Sequence, residues 1–378
     1  MAALRRLGEI DQVLDRRLKK GPPLAVRTIL RVALAQTLVL GTPAFAAVST
    51  AVKLAERDPK TRPYKNLVNA VLRGVDREGP GLTTAESNLP DWLAARWRAN
   101  YGEAALAGLA LAAREEPATD LSLKPGVDAA AVADALDGEA LPIRGGMGGT
   151  VRTARRGDLA GWPGFDDGIW WVQDAAAAVA ARLLAPNAGE GVVDFCAAPG
   201  GKTLQLAAAG AEVVALDRSD KRLDRLRANL ARTGLTAEVV ATPAEDWDDP
   251  RRFDAVLLDA PCTSTGTFRR NPEVLRATKP ADVAKLADVQ HRLLDAAAER
   301  VKPGGRLVYC VCSLEPEEGE AQAATFLKRH PEFKAVAIEP GEGGAPETSA
   351  TSQGWLRILP HHLPGGLDGF FAARFVRL

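Results

Sequence analysis

From about residue 174 onwards, short apolar runs alternate with segments that carry apolar residues at helical spacing. The apolar runs predict strands at 191–196, 212–217, 238–241, 254–259 and 306–312. The segments between them predict helices, such as 220–233, where Leu223, Leu226 and Leu230 share one face. Strands that are apolar throughout are buried on both sides, as in a mostly parallel sheet covered by helices. The pattern therefore predicts an α/β domain, with a final strand at 369–376 running antiparallel near an edge.

The first 173 residues have a different pattern. Residues 1–80 carry helical patterns only, and a polar linker rich in glycine and proline follows them. Residues 90–118 are helical again, whereas 120–156 mix one helix with short strands, including 141–144 and 150–153 joined by a glycine-rich turn. We therefore divide the chain into a helical domain at 1–80, a linker, helices and small α+β module at 81–173, and the α/β domain at 174–378.

Composition narrows the class of protein only slightly. The chain has 378 residues, of which 46% are hydrophobic and 25% charged, as in ordinary globular proteins. No apolar run reaches the roughly 18–20 residues of a membrane span, and the N-terminus lacks the apolar stretch of a signal peptide. We therefore expect a cytoplasmic protein without a membrane partner.

Charge gives a weak indication about nucleic acid. The net charge is zero, so the strongly basic composition typical of many nucleic-acid-binding domains is missing, although local patches matter more than the sum. Two basic clusters stand out, Arg269-Arg270 and a group of four arginines at positions 144, 152, 155 and 156. Each cluster is either a solvated charged face or a contact for RNA phosphate.

The four cysteines are unevenly placed. Cys262, Cys310 and Cys312 lie in two short segments, and each segment follows an apolar strand. Four cysteines in a chain of this length do not make a disulfide framework, and none has zinc-ligand spacing with another cysteine or a histidine. We therefore expect no metal, and we expect the thiols to meet at one end of the sheet.

A glycine-rich loop follows the first strand of the α/β domain. Its residues are Cys196, Ala197, Ala198, Pro199, Gly200, Gly201 and Lys202. A P-loop would need glycine where Cys196 stands, and the glycine spacing of a dinucleotide fold is missing. The remaining ligand class is S-adenosylmethionine, for which Asp217 at the end of the second strand would accept the ribose hydroxyls. The alternative is that this loop has only a structural role, as a capped strand-to-helix turn that binds no ligand.

Two thiols and a carboxyl group suit one demanding reaction, the methylation of carbon 5 of a pyrimidine. A thiolate adds to carbon 6 and makes carbon 5 nucleophilic, and a base then removes the carbon-5 proton. Asp259, Cys262 and Cys312 are suitable for these roles, and Lys202 or an arginine could lower the thiol pKa. From the pattern alone Cys310 is a rival nucleophile, because it would point to the same side of the strand as Cys312.

Residues 170–378 resemble the RNA 5-methylcytosine methyltransferases of the Sun/Fmu/RsmB type. The strings that carry the resemblance begin at Cys196 (Cys-Ala-Ala-Pro-Gly-Gly-Lys-Thr), Asp259 (Asp-Ala-Pro-Cys-Thr-Ser-Thr-Gly) and Cys312 (Cys-Ser-Leu-Glu-Pro-Glu-Glu-Gly-Glu). The resemblance implies a Rossmann-like class I fold with a seven-stranded, mostly parallel sheet, and S-adenosylmethionine as cofactor. It also implies that Cys312 is the nucleophile, that Cys262 assists product release, and that Asp259 lies between cofactor and cytosine.

The upstream residues resemble a NusB-like RNA-binding domain and, at 120–156, the family's small RNA-recognition-like module. The earlier NusB helices are not recognised, so we expect that domain to be incomplete at its N-terminus. The resemblance implies a monomeric cytosine-C5 methyltransferase whose partner is RNA, with 16S rRNA as the expected substrate. The alternatives are a tRNA cytosine-5 methyltransferase and a NusB-like RNA-binding or transcription-factor module without catalysis.

Three positions depart from the family's pattern. Val311 stands before the nucleophile where threonine is usual, and Cys310 is an additional thiol. After the third strand the family often has an acidic residue that contacts the adenine, where this chain has Thr242-Pro243-Ala244. Glu245 or Asp246 could replace it.

Overall fold

The computed structural model describes residues 1–142 and 147–378. Half of the predicted strand 141–144, including Arg144 of the arginine cluster, and the first two residues of the glycine-rich turn after it therefore lie outside the described residues. Contacts divide the chain into two compact units. The helical unit comprises Met1–Glu115 and Asn271–Ala277, and the sheet unit comprises Glu116–Arg270 and Thr278–Leu378. The division at residues 80 and 173 stays a prediction.

The helical unit is built from amphipathic helices around one apolar core. The α-helices within Met1–Glu115 are α1 Ala2–Arg5, α2 Leu7–Asp15, α3 Leu24–Leu38, α4 Ala44–Arg57, α5 Lys65–Glu78 and α6 Asp91–Arg114, which is interrupted at Gly102. Leucine, isoleucine, valine and alanine side chains from α2 to α5 form the core. Glu9 is buried beside it and accepts hydrogen bonds from Arg6 Nε (2.8 Å) and Asn88 Nδ2 (2.9 Å), which joins α2 to the segment before α6.

The sheet unit begins with a small antiparallel sheet. Its strands are β1 Thr119–Leu123, β2 Gly138–Ala140, β3 Thr150–Thr153 and β4 Trp170–Val172, in the order β2-β3-β1-β4, with helix α7 Ala129–Ala135. Arg152 does not lie on a charged face, because it is buried and forms a two-pronged ion pair with Asp120 (2.7 and 2.8 Å). Trp170 and Trp171 are buried packing residues.

A larger sheet follows, and its topology confirms the predicted α/β class. The strands are β5 Gly191–Phe195, β6 Glu212–Asp217, β7 Glu238–Ala241, β8 Phe253–Asp259, β9 Val301–Val311, β10 Phe333–Ala335, β11 Leu356–Ile358 and β12 Phe370–Arg377. Seven of them run in the order β10-β12-β9-β8-β5-β6-β7, and the short β11 pairs with β12 as an eighth. Strands β5 to β9 are parallel, whereas β12 is antiparallel to β9 as the sequence predicted.

Helices cover both faces of this sheet. They are α8 Ala175–Leu184, α9 Gly201–Ala208, α10 Asp220–Thr233, α11 Pro280–Glu299 and α12 Glu320–Arg329. One apolar cluster packs α8 and α9 against the sheet, and another packs α11 and α12 against the opposite face. Across the described residues, no helix has both the length and the apolar character needed to cross a bilayer.

The strand order reverses direction next to β5. From β5 the chain builds outwards through β6 and β7, then returns to place β8 and β9 on the other side of β5. Ligands of open α/β sheets bind where the order reverses, outside the carboxyl ends of the strands. The fold therefore places a binding crevice at the ends of β5, β6, β8 and β9.

Candidate active site

The predicted site residues meet at one edge of the large sheet. Cys196 follows β5, Asp217 ends β6, Asp259 ends β8, and Cys312 follows β9. Parallel neighbours end at the same edge, so these side chains line one cavity of about 720 Å³, together with Cys262. This volume is in the range of small-molecule and cofactor sites.

The glycine-rich loop turns sharply out of β5 into α9. Cys196 has a positive φ of 60°, and the Ala198–Pro199 peptide bond is cis. Gly200 has a φ of 107°, and a Cβ there would lie 2.4 Å from Leu226 Cδ1, so packing against α10 also requires glycine at this position. Six of the seven predicted loop residues, all except Gly200, are among those that line the cavity.

Asp217 is buried and anchors the loop from the neighbouring strand. Its carboxylate accepts hydrogen bonds from the backbone N–H of Ala198 (3.2 Å) and Ser219 (2.9 Å), and Arg222 Nη1 lies 3.4 Å from it. Its position in the cavity, at the end of β6, fits a carboxylate that accepts ribose hydroxyls.

Lys202 forms an ion pair with Asp259 inside the cavity. Lys202 Nζ lies 2.7 Å from Asp259 Oδ2, and the side chains are 9% and 31% exposed. Burial by itself would lower the pKa of Lys202, but the charge and hydrogen bond of Asp259, together with the other acidic groups nearby, outweigh burial and raise that pKa. Lys202 is therefore a firmly charged ammonium that fixes Asp259.

Cys262 and Cys312 form a close thiol pair. Their Sγ atoms are 3.5 Å apart, and Ser264 Oγ lies 3.6 Å from Cys312 Sγ. A hydrogen bond from the Cys262 thiol lowers the pKa of Cys312 against the opposing effect of burial, whereas the same contact, together with burial, raises the pKa of Cys262. Of the pair, Cys312 is therefore the thiol that ionises more easily.

Cys310 has different surroundings, although it lies two residues before Cys312. Its side chain is fully buried, and its Sγ lies 3.6 Å from Asp259 Oδ1. Burial raises the pKa of Cys310 well above the ordinary value. Cys312, just beyond β9, is therefore more easily ionised than Cys310 within it.

The sequence indicated Arg270 only as part of a basic cluster and did not reveal its partner Asp368. Arg270 pairs with Asp368, and both line the cavity, whereas its neighbour Arg269 is buried and donates to the Gly365 carbonyl (2.7 Å). The two arginines of this predicted basic cluster therefore have different surroundings.

After β7, Glu245 lines the cavity beside Thr242. Of Glu245 and Asp246, the two acids proposed to contact the adenine, Glu245 is therefore the better placed.

Asp194 lies beneath the site and is expected to make stability depend on pH. It is fully buried, it accepts a hydrogen bond from Thr203 Oγ1 (2.6 Å), and burial raises its pKa to about 7. The folded state therefore keeps a proton on Asp194 that the unfolded chain releases near pH 4. The contribution of this proton to the free energy of unfolding is fully present below pH 4 and is lost as the pH rises through 7.

Asp194→Asn should remove that dependence. The wild type should lose up to about 4 kcal/mol of unfolding free energy between pH 4 and pH 8 that the variant does not lose. The unfolding free energy of the variant minus that of the wild type should therefore increase by this amount over the same range. Urea unfolding at several pH values measures the difference, with the exposed Asp220→Asn as control. A difference that does not change with pH would contradict the assignment.

Comparison with protein families identifies relatives of both parts of the chain. The family model described as 16S rRNA methyltransferase RsmB/F matches residues 181–376, and the NusB family model matches residues 1–77. A ribosomal RNA small subunit methyltransferase B from Vibrio cholerae is 34% identical over 98% of this chain and 85% of its own length.

Solved structures give a consistent picture. The crystal structure of PH0851 superposes with a TM-score of 0.80 over 98% of this chain and 87% of that chain, at 27% identity. A methyltransferase homologue from Pyrococcus horikoshii superposes with a TM-score of 0.64 over 76% of this chain and 95% of its own, at 26% identity.

Within residues 1–142 and 147–378, no group of three or more His, Cys, Asp or Glu side chains could hold a metal ion.

Proposed function

The chain belongs to the 16S rRNA methyltransferase RsmB/F family, and from this premise we propose that it methylates carbon 5 of a cytosine in 16S rRNA. The observation that carries the cytosine-C5 chemistry is the pair of thiols 3.5 Å apart beside an Asp–Lys ion pair. Cytosine-C5 transfer needs a nucleophile, a base and a carboxyl group together, and these residues supply all three. Such a substrate would place the protein in the cytoplasm.

The family uses S-adenosylmethionine, which supplies the methyl group as a sulfonium when it is bound. The cavity fits this group, because Asp217 at one side offers carboxylate lone pairs and the cysteine pair lies at the other. Asp217 would hold the ribose, the 196–202 loop would follow the cofactor, and Glu245 would reach the adenine.

In the proposed reaction Cys312 is the attacking group. Its thiolate forms a bond to carbon 6 of the cytosine, and the ring electrons move towards carbon 5, which takes the methyl group. Lys202 holds Asp259 where the carboxyl group can bind the edge of the ring. The target base must leave its stack to reach this cavity, so the substrate is a loop or a partly unfolded RNA.

Cys262 completes the cycle in this proposal. The contact that contributes most to its raised pKa is the one with Cys312. When the Cys312 sulfur is bonded to carbon 6 it carries no negative charge, so this cause is removed and Cys262 more readily releases its proton to water to become a thiolate. Cys262 can then take the carbon-5 proton, after which the electrons return to the ring, the carbon–sulfur bond breaks and Cys312 leaves as thiolate.

The proposed substrate can be tested in the organism that carries this chain. Deleting the gene should remove the 5-methylcytosine signal at one position of 16S rRNA in bisulfite sequencing of total RNA. The wild-type gene should restore the signal, whereas a gene encoding Cys312→Ala should not. Loss of a tRNA signal instead would support the tRNA alternative, and an unchanged methylation map would contradict the proposal.

That the protein is a monomer stays a prediction.

A further inference from the structure

A fully buried carboxylate, Glu318, lies between the two segments that carry the thiols. Its Oε1 accepts hydrogen bonds from the Thr263 backbone N–H (2.9 Å) and Gln290 Nε2 (3.1 Å). Its Oε2 accepts from Thr263 Oγ1 and Ser313 Oγ, each at 2.5 Å. A single side chain therefore contacts both segments and helix α11.

The contacted residues are immediate neighbours of the thiols. Thr263 follows Cys262, and Ser313 follows Cys312. Thr263 and Ser313 also contact each other directly, with their hydroxyl oxygens 3.1 Å apart. A shift of either segment away from Glu318 would change the separation of the two sulfur atoms.

Glu318 is itself held firmly. Its backbone carbonyl accepts a hydrogen bond from Tyr309 Oη (2.5 Å), and Tyr309 is a buried residue of β9. The Thr263 backbone N–H and Gln290 Nε2 can only donate, so Oε1 of Glu318 must accept. Charge-assisted hydrogen bonds to a buried carboxylate are stronger than neutral ones, and they favour one geometry.

We propose that Glu318 is a positioning residue that holds the Cys262 and Cys312 segments at the spacing needed for thiol attack and product release. The inference rests on the proposed function for its catalytic meaning, but the spacing itself is a property of the free protein. Glu318 does not touch the cavity residues that would bind cytosine, so it acts through Thr263 and Ser313.

The test compares Glu318→Ala with Glu318→Gln in the full-length protein. Glutamine keeps an acceptor for the Thr263 N–H, and the two hydroxyls can rotate to accept from its amide, so the connection survives without the charge. Glu342→Ala is a matched control, because it removes a partly buried carboxylate that pairs with Arg374 (2.5 Å) elsewhere in the sheet unit. Thermal unfolding shows whether each variant is folded.

Thiol spacing is measured with dibromobimane, which fluoresces when it joins two nearby thiols, in the absence of RNA and cofactor. Cys262→Ala gives the background. We expect Glu318→Ala to cross-link at least about 10-fold more slowly and to lower kcat for methyl transfer about 100-fold, with little change in KM for S-adenosylmethionine. Glu318→Gln should stay within about 10-fold of the wild type in both assays.

If Glu318→Ala does not fold, the double variant Thr263→Val/Ser313→Ala removes the hydroxyl contacts and should slow cross-linking in the same direction. A folded Glu318→Ala that cross-links and turns over like the wild type would overturn the proposal, as would a Glu318→Gln that is as slow as alanine. Failure of the proposed function has a different signature: the wild type would cross-link normally yet leave cytosine unmethylated.

Discussion

Replacing Cys312 by alanine is expected to abolish methyl transfer, with a loss of at least about 1,000-fold in kcat. The reason is that the bond to carbon 6 is what makes carbon 5 reactive, and Cys312 is the thiol whose pKa is lowered by its neighbour. Transfer of a radioactive methyl group to 16S rRNA measures the loss. Folding should be little affected, because the substitution removes only a partly exposed sulfur.

The complementary variant, Cys262→Ala, should trap the intermediate. Without a group to take the carbon-5 proton, Cys312 cannot leave, and a protein–RNA adduct that survives denaturing gels should accumulate. The double variant Cys262→Ala/Cys312→Ala should give no adduct, whereas Cys262→Ala/Cys310→Ala should still give one. An adduct that depends on Cys310 rather than Cys312 would show that the nucleophile is assigned wrongly.

The second large effect is expected at the Lys202–Asp259 ion pair. Asp259→Ala should lower kcat at least about 100-fold, because the carboxyl group that would bind the ring is lost. It should also destabilise the protein by about 2–4 kcal/mol, since it leaves a mostly buried ammonium without its nearest partner. Methyl-transfer kinetics and urea unfolding separate the two losses.

The double variant Asp259→Ala/Lys202→Met distinguishes chemistry from stability. Removing both charges should recover most of the lost unfolding free energy, as replacement of buried ion pairs by apolar groups often does. Activity should stay low, because the ring then has no carboxyl group to bind. Recovery of activity together with stability would mean that Asp259 has only a structural role.

Much of the sheet unit could be predicted because its signals are local. The segment 220–233 forms a helix with the predicted bounds, and Leu223, Leu226 and Leu230 are buried on one face. Apolar strands whose carboxyl ends carry Cys196, Asp217 and Asp259 were enough to place these residues at one edge, since parallel strands end together. The motifs therefore located the cavity.

What could not be predicted depends on contacts between distant residues. Arg152 and Arg269 belonged to basic clusters, yet both are buried, and Arg152 pairs with Asp120, which lies 32 residues away. Glu318 was only one acid in an acidic run, and its contact with Thr263 spans 55 residues. A count of charges along the chain does not distinguish a solvated carboxylate from a buried one.

The position of β12 has a consequence for how the protein is made. Val311, next to Cys312, pairs with Phe371, which leaves the ribosome sixty residues later. Until then one edge of β9 has no partner, and unpaired strand edges are prone to wrong association. Residue 369 also matters, because the Gly369 N–H donates to the Gly266 carbonyl (2.8 Å) in the loop after Cys262. The reactive thiols are thus enclosed only after residue 369 has been made, and a nascent chain that stalls before this point would carry both cysteines without a finished site around them.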